Sequence, residues 1–141
     1  MEYLIEENGK KYFKIPLNTK GSVNCWFSTK SFAVIGSGCN TGNADNPFIL
    51  FLSSKGVTTD RMISLKQVHG NGVIAVNEEM LSIGNGGEIG IGDALISDLP
   101  GTPLMIKVAD CLSIQIYDPD SDAIGNIHCG WRSSAQNIIG Q

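Results

Sequence analysis

The sequence lacks an uninterrupted apolar run of the length that a signal peptide or a membrane-spanning helix requires. A spanning helix needs about 20 consecutive, mostly apolar residues, whereas glutamates and lysines interrupt the segment from Met1 to Lys20. We therefore expect a cytoplasmic protein that has no membrane partner.

The sequence also lacks clusters of basic residues. Its 10 lysines and arginines are outnumbered by 14 aspartates and glutamates, which gives a net charge of −4. Proteins that bind DNA or RNA usually present a basic patch or stripe. We therefore predict that no nucleic acid polymer is a partner.

Cysteine is scarce, and its spacing excludes one class of zinc site. The four cysteines are Cys25, Cys39, Cys111 and Cys129, and no two of them form the C-x-x-C pair of a structural zinc ribbon. Because thiols are kept reduced in the cytoplasm, we expect free thiols. Cys25 is predicted to be a small core residue.

Charged residues make up only 17% of the chain, against 42% hydrophobic residues. This composition is typical of a globular protein rather than a disordered one. A chain of 141 residues can bury roughly 70% of the surface that it exposes when unfolded. We therefore predict a single domain over residues 1–141.

Local patterns predict an N-terminal hairpin followed by a third strand. The hairpin joins Leu4–Glu7 to Lys10–Ile15 through Asn8-Gly9, a pair that accepts the positive φ angles of a type I′ turn. The third strand is expected over Ser22–Ser28. These elements are predicted to be scaffold.

A short apolar helix is predicted from Asn46-Pro47 to about Ser54, after a glycine- and asparagine-rich loop over Ser37–Asn46. Asparagine caps free amide groups, and proline suits the first helical position because it has no amide hydrogen to satisfy. Gly56 is the expected stop of this helix.

The middle of the chain is predicted to contain strands, a bend and a loop. Ile63 and Leu65 belong to one extended segment, Val73–Val76 forms another, and His69 lies at a sharp bend between them. The glycine-rich stretch Leu81–Gly92 matches neither the dinucleotide-binding pattern nor the P-loop. We predict a flexible loop there, over or beside a functional site.

Four further strands are expected in the second half of the chain. They cover Asp93–Ile96, Thr102–Ala109, Leu112–Tyr117 and Ala123–Cys129. In the third of these, apolar residues alternate with polar ones, which predicts that Leu112, Ile114 and Ile116 face a core.

The chain is predicted to end in a helix on which Trp131, Ala135 and Ile138 share one face. That spacing favours core packing for Trp131. Because strands outnumber helices, the predicted fold class is α+β: a mixed β-sheet with flanking helices, in a layered α/β sandwich.

Candidate reactive residues are one cysteine and the only two histidines of the chain: His69, Cys111 and His128. One thiolate and two imidazoles are the protein ligands of some catalytic zinc sites, which keep a fourth position open for water. The three residues are far apart in the sequence, so only the fold can bring them together.

Neighbouring residues suggest further roles. Asp110 is a candidate to orient a ligand imidazole or to shuttle a proton, and is therefore grouped with Cys111 and His128 as catalytic. Arg132 is a candidate substrate-binding residue, because the guanidinium group of arginine binds two oxygens of a phosphate or carboxylate at once. Gln67 is the other candidate substrate-binding residue.

Two other interpretations remain open on the residues alone. In the first, the two histidines and the cysteine are unrelated. In the second, Cys111 is a nucleophile and His128 or His69 is its general base, as in a cysteine hydrolase.

Five short motifs carry a resemblance to a known family. They are QVHG (67–70), DALI (93–96), PG (100–101), VADC (108–111) and HCGWR (128–132). In this order and approximate spacing, the sequence resembles the purine nucleoside phosphorylase family also described as polyphenol oxidoreductase laccases. Cys129 departs from the alanine usual there, and adjacent strand residues face opposite sides, so we predict that Cys129 lies in the core.

The resemblance implies a zinc site formed by His69, Cys111 and His128. It also implies phosphorolysis of adenosine, inosine, guanosine or methylthioadenosine, and deamination of adenosine, with purine nucleosides and phosphate as the partners. Copper fits less well, because one thiol and two imidazoles do not by themselves make a multicopper cluster.

Members of this family continue well past the HCGWR motif, so the resemblance implies that the chain is an N-terminal portion of the family domain, incomplete at its C-terminus. Two expectations follow. Self-association into a homo-oligomer would give a full pocket. A chain that lacks a full pocket would be a degenerate, non-catalytic module.

Overall fold

The computed structural model describes residues 4–16, 23–32, 46–84 and 87–141. The predicted loop over Ser37–Asn46 lies outside these residues except for Asn46, and Cys39 lies outside them too. The elements are β1 (Leu4–Glu7), β2 (Lys10–Pro16), β3 (Asn24–Ser28), α1 (Pro47–Ser54), β4 (Ser64–Lys66), β5 (Val73–Ala75), α2 (Glu78–Gly84), β6 (Glu88–Ile91), β7 (Ala94–Ser97), β8 (Leu112–Asp118), β9 (Ala123–Cys129) and α3 (Trp131–Ala135).

The first three strands form an antiparallel sheet in the order β1-β2-β3. The hairpin between β1 and β2 is confirmed, because Asn8 and Gly9 occupy its turn with φ angles of 51° and 73°. The third strand is confirmed as well, and Cys25 within it is buried, as predicted.

The helix α1 begins and ends where the sequence predicts. The Oδ1 atom of Asn46 accepts hydrogen bonds from the amides of Phe48 at 2.9 Å and Ile49 at 3.4 Å. Gly56 follows the helix with a φ angle of 79°, which glycine adopts without steric cost. The Phe51 ring of the helix packs on Tyr12 of β2, with ring centroids 4.6 Å apart.

The remaining strands form two sheets. The strands β4 and β6 pair in parallel, and a four-stranded sheet has the order β5-β7-β9-β8. In the larger sheet β5 and β7 are parallel, whereas β9 is antiparallel to both of its neighbours. The predicted α+β class with a mixed sheet is therefore confirmed.

Apolar clusters cover both faces of the larger sheet, and only the first of them lies between the sheets. One cluster consists of Ile63, Leu65, Val76 and Leu95, and a second consists of Ala94, Ile127, Cys129 and Ile138. Neighbouring residues of β7 thus pack on opposite faces of the larger sheet, and the packing fixes the register on which the candidate site depends.

The prediction of a flexible loop over Leu81–Gly92 is wrong for the described residues of that stretch, which belong largely to α2 and β6. The glycines permit close packing instead. A Cβ atom on Gly90 would lie 2.9 Å from the Ile74 side chain, and one on Gly92 would lie 3.0 Å from the carbonyl oxygen of Gly72.

The predicted strand over Thr102–Ala109 is also wrong, because this segment forms only an isolated bridge between Leu104 and Ile63. Side-chain amides take the place of a neighbouring strand. Asn126 Nδ2 donates to the Leu104 carbonyl oxygen at 2.9 Å, and Gln67 bonds to the backbone further along the segment. Periodicity alone does not reveal such side-chain pairing.

Residues Leu112, Ile114 and Ile116 do not all face a core as predicted. Leu112 and Ile116 are exposed, and only Ile114 packs against the second apolar cluster. The reason is the position of β8, which is the last strand of its sheet among the described residues. The alternating apolar residues of β8 therefore include positions that no other described part of the chain packs against.

The predicted inward face of the last helix is wrong. Trp131 is 71% exposed and Ala135 is exposed, while Ile138 is buried. The helix α3 ends at Ala135, and Asn137 adopts a left-handed conformation with a φ angle of 57°. Because of this turn, Ile138 does not lie on the same helical face as Trp131.

None of the described helices combines the length and the apolarity that a bilayer span would demand.

We predict that Leu65→Ala lowers the free energy of unfolding by about 2–5 kcal/mol, because it leaves a cavity in the core between the sheets. Leu65 is 1% exposed. The matched control is Leu50→Ala on α1, where the side chain is 56% exposed and the expected change is within about 0.5 kcal/mol. Urea unfolding followed by circular dichroism measures both, and equal losses in the two variants would contradict this description of the core.

Candidate functional site

The fold brings His69, Cys111 and His128 together. Their potential ligand atoms all lie within 4.8 Å of one another. The two imidazole rings are nearly perpendicular, with centroids 4.7 Å apart and an interplanar angle of 81°. Three residues from distant parts of the chain therefore form one compact cluster.

The bend at His69 is held by a single carboxylate. The side chain of Asp93 accepts hydrogen bonds from the backbone amides of Val68 at 3.3 Å, His69 at 2.9 Å and Gly70 at 2.8 Å. His69 adopts a φ angle of 60°, a conformation that non-glycine residues seldom adopt. The three bonds stabilise this conformation and so fix where the imidazole lies.

The same carboxylate also holds His128. Asp93 Oδ1 lies 2.8 Å from His128 Nδ1, and the backbone amide of His128 donates to the Asp93 carbonyl oxygen at 2.7 Å. A neutral imidazole that donates from Nδ1 to a carboxylate leaves Nε2 unprotonated, which is the form a metal ion binds. Asp93 therefore sets the orientation of this histidine.

Asp93 is fully buried. Burial by itself would raise the pKa of its carboxyl group, but the hydrogen bonds from His128, Gly70, His69 and Val68 outweigh burial and lower that pKa below the ordinary value of 3.8. A lowered pKa in the folded state means that the ionised form stabilises the fold. This contribution is complete at neutral pH and is lost as the pH falls below the ordinary value towards the lowered one.

Cys111 lies just before β8, against the turn that follows β9. A Cβ atom on Gly130 would lie 3.1 Å from Cys111 Sγ and 3.3 Å from His69 Cδ2. Both distances are tighter than ordinary van der Waals contact, so a glycine at this position allows the thiol and the imidazole to approach each other. Cys111 is half-buried, His128 is buried and His69 is exposed.

The donor set fits a zinc ion. Bonds of about 2.0–2.3 Å in a tetrahedral site would place the ligand atoms roughly 3.3–3.8 Å apart. Ligand atoms that lie within 4.8 Å of one another reach such distances by closing at most about 1.5 Å. Because His69 is exposed, one side of the cluster is open to solvent. An open side is typical of catalytic sites rather than of closed structural ones.

Gln67 fixes the segment that leads to Cys111. Its Nε2 atom donates to the Lys107 carbonyl oxygen at 2.8 Å, and its Oε1 atom accepts from the Lys107 amide at 2.8 Å. Both ends of the side-chain amide are therefore bound to backbone. Its predicted contact with substrate stays a prediction.

Asp110 directly precedes Cys111 in the sequence, Arg132 belongs to α3, and both residues are exposed. Asp110 is exposed, and the orientation of a ligand imidazole, one role predicted for it, is performed at His128 by Asp93. The guanidinium group of Arg132 stacks on the Trp131 ring, 4.3 Å from its centroid. The arginine therefore presents its charge beside an exposed aromatic ring.

The prediction for Cys129 is confirmed, because its side chain lies in the second apolar cluster. Cys25, Cys111 and Cys129 are free thiols. Sequence reasoning missed Asp93, although a signal was present. An acidic residue that directly precedes a buried apolar strand needs partners, because an unpaired buried charge is costly.

Comparison with known proteins gives a consistent picture. A family model described as multi-copper polyphenol oxidoreductase laccase matches residues 43–141. A purine nucleoside phosphorylase of Rickettsia conorii is 29% identical over 143 residues, which cover 99% of this chain and 52% of that protein. A purine nucleoside phosphorylase of Xylella fastidiosa is 36% identical over 77 residues, which cover 55% of this chain and 29% of that protein.

Solved structures share the fold. YlmD from Geobacillus stearothermophilus aligns with a TM-score of 0.67 and 22% identity, over 94% of this chain and 50% of that one. Protein NMB0706 of Neisseria meningitidis aligns with a TM-score of 0.57 and 18% identity, over 99% of this chain and 55% of that one. The chain thus spans about half the length of the Rickettsia protein and of both structures.

We predict that Asp93→Asn lowers the free energy of unfolding by about 3 kcal/mol or more, because a neutral amide bonds the three backbone amides and His128 less well. Zinc affinity should fall about 10–100-fold, as for other residues that orient a metal ligand. Thermal unfolding and competition with a chromophoric chelator measure the two effects.

The matched control for this variant is Asp98→Asn. Asp98 is exposed and directly follows β7, whereas Asp93 directly precedes it. We expect neither stability nor zinc affinity to change appreciably in the control. Zinc affinity that is equal in the two variants would show that Asp93 does not position the cluster.

Proposed function

We propose a function from one premise: this chain belongs to the multi-copper polyphenol oxidoreductase laccase family, whose model covers most of its length. The proposed function is that of a zinc-dependent purine nucleoside enzyme. The names of the curated relatives support the substrate class. The convergence of His69, Cys111 and His128 is the observation that carries the proposal.

Zinc suits the cluster better than copper does. His69 and His128 are the only histidines of the chain, so this chain does not offer the many imidazoles that several copper ions would need. One thiolate and two imidazoles with an open side are instead a common protein contribution to a catalytic zinc site. The copper that the name of the family implies therefore does not match the ligands that this chain offers.

A zinc ion bound here would lower the pKa of a water molecule towards about 7 and so supply a nucleophile at neutral pH. The chain's own residues prepare the site for it. Asp93 orients the imidazole of His128, and Gly130 lets Cys111 and His69 lie close together. The exposed side of His69 leaves room for substrate.

Two reactions are proposed. In phosphorolysis of adenosine, inosine, guanosine or methylthioadenosine, the bond between sugar C1′ and the base nitrogen breaks, a phosphate oxygen bonds to C1′, and the nitrogen takes up a proton. In deamination, a water oxygen bonds to C6 of adenine and ammonia leaves. Arg132 is proposed to bind the phosphate and Asp110 to carry the proton, since both are exposed and close in sequence to a candidate ligand.

The chain corresponds to about half of the YlmD structure, so the activity of the full-length relatives is a proposal for this chain. Self-association into a homo-oligomer stays a prediction.

The alternative is a hydrolase in which Cys111 is the nucleophile and His128 the base. It is favoured by the same short distance between the thiol and the imidazole. A nucleophilic thiolate would be alkylated by iodoacetamide without any metal, so metal content and labelling separate the two functions.

We predict that the purified chain binds one zinc ion and converts adenosine, with phosphate-dependent release of base and phosphate-independent release of ammonia. In Cys111→Ala, zinc affinity should fall at least about 100-fold, because one of three ligands is lost. Elemental analysis and product chromatography measure the two effects.

The control for this variant is Cys25→Ala, since Cys25 is a buried thiol of the N-terminal sheet. It should keep both zinc and activity. Metal-free protein that is active and labelled at Cys111 would support the cysteine hydrolase instead, and absence of turnover in the zinc-loaded protein would contradict both enzymes.

A further inference from the structure

A row of polar side chains continues along the sheet from His128. In the register of β8 and β9, Ser113 lies opposite His128, and Gln115 lies opposite Asn126. Alternate residues of a strand share a face, so all four side chains lie on the face that carries the candidate metal ligand. The Gln115–Asn126 pair lies about 7 Å along the strands from the Ser113–His128 pair.

The two amides are fixed in orientation. Asn126 Nδ2 donates to the Leu104 carbonyl oxygen at 2.9 Å, so its Oδ1 atom is the acceptor that meets Gln115 Nε2 at 3.4 Å. Gln115 Nε2 also contacts Ser113 Oγ. Both hydrogens of the Gln115 amide are therefore directed at protein atoms, which leaves its Oε1 atom as the free end.

The Oε1 atom of Gln115 accepts no hydrogen bond from any described residue. Because the amide hydrogens hold the Gln115 side chain in place, its Oε1 atom is an oriented acceptor and is suited to a ligand that donates a hydrogen bond. The residue lines a cleft of about 1720 Å³, together with Ser113 and Asn126. The cleft reaches Ala109 and Ser113, the residues two before and two after Cys111, although none of the three metal-ligand residues lines it.

We propose that Gln115 binds a ribose hydroxyl group and makes the site selective for ribonucleosides, an inference that rests on the proposed function. The chemistry of a nucleoside favours this assignment. When C6 of the purine faces the metal cluster, the sugar lies at the far end of the molecule, along the row of polar side chains. Adenine ring nitrogens are acceptors and would repel Oε1, whereas the 2′ and 3′ hydroxyl groups of ribose can donate to it.

The test compares adenosine with 2′,3′-dideoxyadenosine, which lacks both hydroxyl groups. Dissociation constants are measured by calorimetry on the zinc-loaded and the zinc-free chain. In the unmodified protein we expect adenosine to bind at least about 10-fold more tightly, since the hydrogen bond to the half-buried Gln115 is lost with the analogue. This comparison involves no substitution and so does not depend on the folding of a variant.

In Gln115→Met the preference should disappear, because adenosine binds about 10-fold more weakly while the analogue is unaffected. Gln115→Glu keeps an acceptor oxygen and should retain the preference. The matched control is Gln136→Met, since Gln136 is exposed after α3, and it should behave like the unmodified chain. A purely structural role of Gln115 would weaken both ligands equally.

Three results would overturn this inference. The first is equal affinity of the unmodified chain for the two ligands, and the second is a preference that survives in Gln115→Met. The third is that neither the zinc-free nor the zinc-loaded chain binds adenosine at all. Failure of the proposed function has a different signature. It would leave the ribose preference in place while zinc content or turnover is absent.

Discussion

A single buried carboxylate organises the candidate site. Asp93 accepts hydrogen bonds from three consecutive backbone amides at the His69 bend and from the ring of His128. The negative charge is stable in the interior only because these donors surround it. The same bonds therefore stabilise the fold and set the positions of two of the three candidate ligands, so the site cannot be rearranged without a cost in stability.

The strand register explains how distant residues meet. Ala94 pairs with Ile127, which places Asp93 beside His128, and Leu112 pairs with Cys129, which places Cys111 beside Gly130. The apolar clusters on the two faces of β7 hold that register, since a slip by one residue would turn Leu95 out of the core. Core packing and the geometry of the site thus rest on one set of pairings.

Local chemistry made part of the structure predictable from the sequence. Asn8-Gly9 and Asn46-Pro47 each satisfy a short-range requirement of the backbone, and both elements were predicted with nearly correct bounds. The metal cluster was identified through its resemblance to a family, since spacing alone does not show that three distant residues meet. Asp93 was not identified, because three of its partners are backbone amides that any residue types could provide and the fourth, His128, is distant in the sequence. The exposure of Trp131 was missed, because a left-handed residue after α3 ends the helical periodicity.

The most direct test of the account is X-ray absorption at the zinc edge of the zinc-loaded chain. The account predicts one sulfur at about 2.3 Å and two imidazole nitrogens at about 2.0–2.1 Å, with an oxygen completing four-coordination. In the Cys111→Ala variant, the sulfur at about 2.3 Å should be absent from the zinc shell. A first shell without sulfur, or with two sulfurs, would contradict the assignment of His69, Cys111 and His128 as the metal site.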